Sequence, residues 1–438
     1  MTEGLIWAAL GSAVGSVLAV IPALHIYNVA GVLLLLVTMG KLPMTPEVMA
    51  FLFLGLIAGY AMGNTLPSVF FAAPDESMVF VVLPGQKYLL QRRGYEAVVL
   101  TGLGGVGGML VLALLAPVAS RLLPALREIL QPHMAWILWT IIAYVLLSEW
   151  PKGTGRAPAG LRRCWDGWRS LIAGLTTFLL SGLLGFVLIY RSPVSLSVAY
   201  QNLLPAFVGL FAVPWVITNL LSRVELPPQH VACDLDVSWP ALMQGIATGA
   251  VGGLFAAFLP IVTGGIGGFL AGHATAQRDE RVFLVAQGSA KVVYYVGGFL
   301  LFFVPGLHLT RGGMAWMVST RYTVYTPGDY YAATGCALLA TVIGFLLSLA
   351  LSRGLIALLG RVSYRVVSWA TLGLLLTVVV AVTGLAGLVV CAVATGIGLI
   401  PVLWGSRRMN AMGVLLLPVA LNMAGLGDRV AALLGLLG

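Results

Sequence analysis

The chain has 438 residues, of which 60% are hydrophobic and only 9% charged, where a soluble domain carries about a quarter charged residues. That balance excludes a water-facing globule, and long apolar runs in place of short alternating strands exclude an outer-membrane barrel. The formal net charge of +9 lies in the loops between apolar runs, so it marks topology and not a nucleic-acid partner.

The expected fold class is all-α: a polytopic helical protein of the cell membrane. Apolar runs of spanning or near-spanning length fall at 4–21, 22–39, 48–62, 98–119, 132–148, 170–190, 203–221, 240–259, 282–304, 331–351, 366–383, 385–403 and 410–424. Several are too short to cross, so roughly 10–12 transmembrane helices plus re-entrant pieces are expected, at about 20 residues per crossing. The first run starts at Gly4 without a basic leader, and no cleavable signal peptide is expected.

That first run is interrupted. Residues 11–28 read GSAVGSVLAVIPALHIYN, and residues 249–266 read GAVGGLFAAFLPIVTGGI. Gly11 aligns with Gly249, Gly15 with Gly253 and Pro22 with Pro260, without a gap. The glycine steps suit close helix packing. The breaks at Pro22 and Pro260 free backbone groups, which hydrocarbon tolerates only where they are buried or line a cavity. Paired breaks in two halves of a chain point to a transport site. The polar residues after each break, His25 and Asn28 in the first and Thr263 and Gly264 in the second, are the candidates for substrate contact. A half-helix N-terminus there suits an anion; a plain proline kink is the alternative.

Residues 64–77, NTLPSVFFAAPDES, lie between apolar runs and mix polar groups, prolines and aromatics. We read them as a second irregular segment reaching into the protein, the alternative being an interfacial loop. Asn64 and Ser68 are candidate substrate contacts, and Asp75 and Glu76 candidates for handling a coupling cation or proton. The GxGxxG match at Gly102, Gly104 and Gly107 opens a long apolar run with no βαβ pattern around it, which rules out a dinucleotide fingerprint.

A basic stretch follows, with Lys152, Arg156, Arg162, Arg163 and Arg169 against Glu149 and Asp166. With residues 87–93, 353–365 and 407–408 it is expected on the cytoplasmic side. Residues 226–238, which contain Pro227, Pro228, Asp234 and Asp236, are expected to link a first repeat (1–225) to a second (239–438). Gly209–Pro214 and Gly396–Pro401 share a Gly-x-x-x-x-Pro pattern near the ends of these halves. The order of the repeats, parallel or inverted, is left open by the sequence.

In the second half, the arm after Pro260 holds about a dozen residues, or ~18 Å of helix, too short to cross. A re-entrant hairpin with Thr263-Gly264-Gly265 near its tip is expected. Lys291 is the only charge between Val282 and Val304. An ammonium in mid-membrane faces the interior with a partner: an anionic substrate, Asp75 or Glu76. Cys164, Cys233, Cys336 and Cys391 are scattered and suggest neither a disulfide framework nor a zinc site. No Walker A, HExxH or GxSxG sequence occurs, so neither ATP hydrolysis nor catalysis is expected.

Several segments resemble the large membrane subunit of tripartite tricarboxylate transporters, the TctA-like permeases, in a divergent archaeal-type branch. They are FFAAPDESMVFVVLPGQKYLLQRRGYEAV at 70–98, SGLLGFVL at 181–188, LLPAFVGLFAVPWV at 203–216, RDERVFLVAQGSAKV at 278–292 and GIGLIPVLWGSRRMNAMGVLLLPVAL at 396–421. The family usually carries Pro-Gly at both breaks; here Ala23 follows Pro22 and Ile261 follows Pro260. The resemblance implies a secondary-active permease for small organic anions such as di- or tricarboxylates. It also implies a sodium or proton gradient as driving force, no other cofactor, a small membrane subunit and an extracytoplasmic solute-binding protein. A translocase for a lipid-linked anion such as a polyprenyl phosphate is the alternative function.

Overall fold

The computed structural model describes residues 2–22, 24–150, 161–195, 202–222, 226–231 and 234–437, without the side chains of residues 161–163. Ala23, Lys152, Arg156, Cys233 and the side chains of Arg162 and Arg163 therefore lie outside the described residues. In chain order the helices are α1 (Thr2–Leu18), α2 (Ile26–Thr38), α3 (Pro46–Gly63), α4 (Thr65–Phe70), α5 (Val82–Leu90) and α6 (Gly94–Leu130). Next come α7 (Met134–Leu147), α8 (Leu161–Tyr190), α9 (Leu203–Phe207) and α10 (Val213–Ser222). The later part of the chain forms α11 (Trp239–Phe258), α12 (Gly264–Ala274), α13 (Glu280–Val292), α14 (Gly298–Leu300), α15 (Gly313–Ser319) and α16 (Pro327–Leu359). It closes with α17 (Tyr364–Trp404), α18 (Gly413–Met423) and α19 (Gly427–Leu433). Two π-helical turns, Val208–Ala212 and Val293–Gly297, interrupt the series.

The described residues contain no strand and eight stretches long and apolar enough to cross a membrane, or up to nine with the bent pair at 408–433. That is fewer than the expected ten to twelve. Part of the difference is that two stretches are outsized. Gly94–Leu147 runs for 54 residues, and α17 is broken at Gly384, whose φ of 68° no helix can hold. The other part is that Thr2–Leu18 and Ile26–Thr38 are apolar but short, because they are the two arms of a hairpin.

The chain divides into two compact units, and neither is a sequence half. One comprises residues Met1–Arg127 and Ser222–Thr371, the other Glu128–Leu221 and Leu372–Gly438. Each unit therefore draws on both halves of the sequence.

Within the first unit, glycine steps fix the packing. A Cβ on Gly11 or Gly15 would strike the carbonyl of Leu52 or Leu56, and one on Gly55 or Gly59 the carbonyl of Ala8 or Ser12. Residue numbers rise together along the contact, so α1 and α3 run parallel. The chain must return between them, and α2 is the return arm. The second half repeats the pattern. Gly249 and Gly253 close on the carbonyls of Ala286 and Ala290, so α11 and α13 are parallel and α12 is the return arm. Asp236 before α11 is joined to Arg281 after α12, Nη1 to Oδ2 at 2.9 Å, which pins the entry and exit of this hairpin to one end. The chain turns back here as a helical hairpin, with Thr263 capping α12 through its hydroxyl.

The two hairpins point in opposite senses. Asn64 of the α3–α4 junction meets Lys291 of α13. One turn earlier, Tyr60 meets Tyr295, one turn later on its own helix, edge to face at 5.9 Å. Numbers rise on one side as they fall on the other, so α3 and α13 are antiparallel. The glycine-rich run of α6 is a packing stripe as well: Gly104 lies on the Val285 carbonyl and Gly108 on Ser289, in keeping with no nucleotide fold.

In the second unit the Gly-x-x-x-x-Pro patterns play unequal parts. Gly209 lies against the Cys391 carbonyl of α17, whereas Gly396 has open space around its α-carbon. Gly398 makes the reciprocal approach, on the Leu210 carbonyl.

Candidate functional site

The two hairpin tips, the α3–α4 junction, the irregular segment 71–81 and the start of the π-turn at Val293–Gly297 converge within the first unit. Residues 71–81 carry no regular helix before α5, because Pro74 and the Asp75 side chain redirect the backbone. Asp75 Oδ1 accepts from the Ser77 amide at 3.0 Å, the Met78 amide at 3.0 Å and the Ser77 hydroxyl at 2.7 Å. This is an aspartate turn that folds the segment onto itself.

The other Asp75 oxygen is equally occupied. Oδ2 accepts from the Tyr60 hydroxyl at 2.9 Å and the Asn64 amide at 2.7 Å, with the Tyr295 hydroxyl at 3.3 Å. Six donors converge on the two oxygens, so Asp75 is a firmly held carboxylate. Glu76 differs. Its Oε1 lies 3.4 Å from the Tyr295 hydroxyl and 3.5 Å from His25 Nε2. Tyr295 has one proton to share between the two acids, which leaves Glu76 the less committed of the pair.

Glu76 also ties the tips together. Its side chain faces His25 at the first break, and its backbone carbonyl accepts from the Thr263 hydroxyl of the second at 3.5 Å. His25 caps α2: its Nδ1 accepts from the Tyr27 amide at 3.2 Å. A neutral His25 therefore carries its proton on Nε2, an assignment inferred from the network. That proton faces Glu76 and the Tyr295 hydroxyl, 3.3 Å away. His25, Asp75 and Glu76 each offer an atom within 4.8 Å of the others, among the described residues.

Lys291 is buried and donates to Asn64 Oδ1 at 2.8 Å and Thr65 Oγ1 at 2.6 Å. It has no ion-pair contact with Asp75 or Glu76 among the described residues. Asn64 stands between Lys291 and Asp75, one of the partners that the sequence offered. The reason is geometric. One amide can turn its oxygen to the ammonium and its nitrogen to the Asp75 carboxylate, compensating both buried charges at once.

The remaining candidates are placed as follows. Asn28 Nδ2 is buried with no partner, a donor left over close to the α2 N-terminus. Ser68 is buried and donates to the Asn64 carbonyl at 3.1 Å, so its hydroxyl is spent inside the helix. Gly264 sits tightly against Lys291 and Tyr294 of the neighbouring helix, and the close approach its missing side chain allows is to protein. Pro22 is buried and Pro260 half-buried, each just after the end of its first arm.

Arg311 was missed by the sequence reading. It fastens the second tip by donating to the carbonyls of Ala256, Ala257, Leu259 and Val262 at 2.6–3.2 Å. Ala256 and Ala257 are among the last carbonyls of α11, left unpaired where the helix ends, and Leu259 and Val262 lie in the break beyond it. The clamp holds Ile261 at a φ of 66°, a left-handed conformation that a β-branched residue strongly disfavours. Tyr60, Ser77 and Tyr295 were missed too. Their signal was spacing: Tyr60–Asn64 and Lys291–Tyr295 are both i,i+4 pairs of polar groups on apolar helices, so each pair shares one face.

Comparison with known proteins now decides the lineage. The profile of the tripartite tricarboxylate transporter TctA family matches residues 5–413. The chain belongs to the TctA family. It is thus a membrane permease of a transporter family and not an enzyme, and the family's description makes it one component of a three-part carrier. The uncharacterized protein MJ1079 of Methanocaldococcus jannaschii is 24% identical over 429 residues, 95% of this chain and 98% of that one. Such low identity across the full length is consistent with a divergent branch. No solved structure matches. Nothing in the family match supports translocation of a lipid-linked substrate.

Proposed function

We propose that this TctA-family permease carries a small organic anion, a di- or tricarboxylate, driven by a proton or sodium gradient. The observation that carries the reading is the position of Glu76, with its carboxylate toward the first hairpin tip and its carbonyl on the second. Both return arms, α2 and α12, begin at these tips, so both present the positive end of a half-helix dipole. Asn28 Nδ2, which lacks a partner, and the amides opening α12 at Gly264 and Gly265 are the groups an anionic carboxylate meets.

In this mechanism the charged residues divide their work. Asp75 and Lys291, compensated through Asn64, hold the α3–α4 junction against the opposite helix. Lys291 supplies positive potential without touching the substrate. Glu76, with His25 and Tyr295 beside it, takes up the coupling proton or cation. Loading Glu76 removes its repulsion of the carboxylate, which couples the two bindings. A small membrane subunit and an extracytoplasmic solute-binding protein complete the carrier.

The test is uptake by proteoliposomes holding the purified permease with its subunits. Citrate or a C4-dicarboxylate accumulates inside under an inward proton or sodium gradient, and Glu76→Gln abolishes the accumulation. If no carboxylate moves under either gradient, the substrate class is wrong.

A further inference from the structure

A second polar cluster lies in the other compact unit. The turn Gly405–Met412 after α17 carries two arginines that the sequence reading assigned to topology alone. The Arg408 guanidinium stacks on the Trp215 ring of α10, its central carbon 3.2 Å from the ring centroid. Glu149 is buried beside this turn. Its Oε1 accepts from the Arg407 amide at 2.6 Å and from Asn410 Nδ2 at 3.2 Å. Those contacts are with the Arg407 backbone and with Asn410, so the Arg408 guanidinium has no acid partner among the described residues.

Three donors in this cluster are buried without a partner among the described residues: Trp215 Nε1–H, Arg408 Nη1–H and the Ser406 hydroxyl. Leaving a buried donor unsatisfied costs about 1–3 kcal/mol, more for a charged one. Three of them on one stacked pair and its own turn mark a place built to receive an acceptor. An anionic acceptor suits it, because the Arg408 guanidinium meets no carboxylate among the described residues. A fourth partnerless atom, Asn410 Oδ1, is itself an acceptor and sits on the Glu149 side through its own amide nitrogen.

The surroundings say where the acceptor comes from. Trp150 follows Glu149 directly and Trp404 precedes the turn. Trp150 meets Trp168 at 5.6 Å, and Trp165 meets Trp404 at 5.9 Å. All four indoles are 40–57% exposed. Clustered, exposed tryptophans mark the headgroup level of a bilayer. Basic groups at that level draw anionic lipid.

We propose that Trp215, Ser406 and Arg408 form a binding site for the phosphate of an anionic phospholipid, held at the headgroup level by the flanking tryptophans. The phosphate oxygens accept from the indole N–H, the hydroxyl and the guanidinium together. The guanidinium is held flat on the indole and so is oriented before the lipid arrives. A zwitterionic headgroup places a cation beside Arg407 and Arg408 and is disfavoured. Transport chemistry plays no part in the proposal, which stands whatever the substrate is.

The test is thermal unfolding of the purified permease in mixed micelles containing phosphatidylglycerol, phosphatidylcholine or inorganic phosphate. Phosphatidylglycerol raises the wild-type midpoint by about 3 °C or more, while phosphatidylcholine and inorganic phosphate leave it in place. Trp215→Phe keeps a ring under Arg408 but lacks the N–H, and loses at least half of the shift. Ser406→Ala does the same and decides the matter if Trp215→Phe does not fold. Equal stabilisation by phosphatidylcholine, no shift at all, or full shifts in the variants would each overturn the site. A shift from inorganic phosphate alone overturns the lipid as its occupant.

Discussion

Lys291 and Asp75, a cation and an anion from opposite halves of the chain, share the single amide of Asn64, which stands between them at 2.8 Å from one and 2.7 Å from the other. No other residue could serve both so economically, since only a primary amide offers an acceptor and a donor on one rigid plane. Asn64→Ala takes a charge-assisted bond from each partner, at about 1.5–3 kcal/mol apiece. The variant should unfold at a clearly lower temperature than the parent, and an unchanged melting midpoint would show that Lys291 and Asp75 do not depend on Asn64.

The two neighbouring acids should separate under mutation. Asp75→Asn puts an amide where six donors converge, and the protein should lose stability. Glu76→Gln meets only the Tyr295 hydroxyl and His25 and should melt close to the parent. Thermal melts of both, in one detergent, check this; the reverse order would mean that Glu76 is the anchor.

Ile261 carries strain that glycine would not. A left-handed residue with a side chain costs roughly 1–2 kcal/mol, so Ile261→Gly should raise stability by about 1 kcal/mol even after the added backbone entropy of the unfolded chain. Arg311→Ala should do the opposite, because four carbonyls lose their donor. Chemical denaturation of the two variants measures both, and a destabilised Ile261→Gly would show that the tip is held by side-chain packing.

At the membrane edge the Asp279 carboxyl is held below its usual range, chiefly by its hydrogen bonds from Arg281. A depressed folded value means that its stabilising contribution is complete above the unfolded carboxyl range and is lost as pH falls through the lower, folded value. Arg281→Gln should therefore flatten the acid limb of the melting temperature against pH. The effect is small, since the pair is partly exposed and screened, and a limb unchanged in shape would assign acid sensitivity elsewhere.

The architecture was legible where it depends on composition and glycine steps. Gly11, Gly15, Gly249 and Gly253 announced two alike hairpins, and Pro22 and Pro260 announced their tips. The sense of the two hairpins was hidden, because direction shows only in which residues meet, as Tyr60 with Tyr295 and Asn64 with Lys291. At the site, the residue types were readable but their partners were not. Asp75 and Glu76 are adjacent in sequence and look equivalent; only the fold reveals that six donors hold the first and not the second. Arg311 escaped notice because its role is to pair with carbonyls, which every residue has.

The central claim is that Glu76, placed between the two tips, joins ion uptake to carboxylate movement. The direct measurement compares gradient-driven accumulation with carboxylate exchange at zero gradient, in proteoliposomes holding either the parent or Glu76→Gln. Glu76→Gln should still exchange labelled carboxylate across the membrane while failing to concentrate it. Accumulation at the parental level by Glu76→Gln, under the same gradient, would contradict the claim.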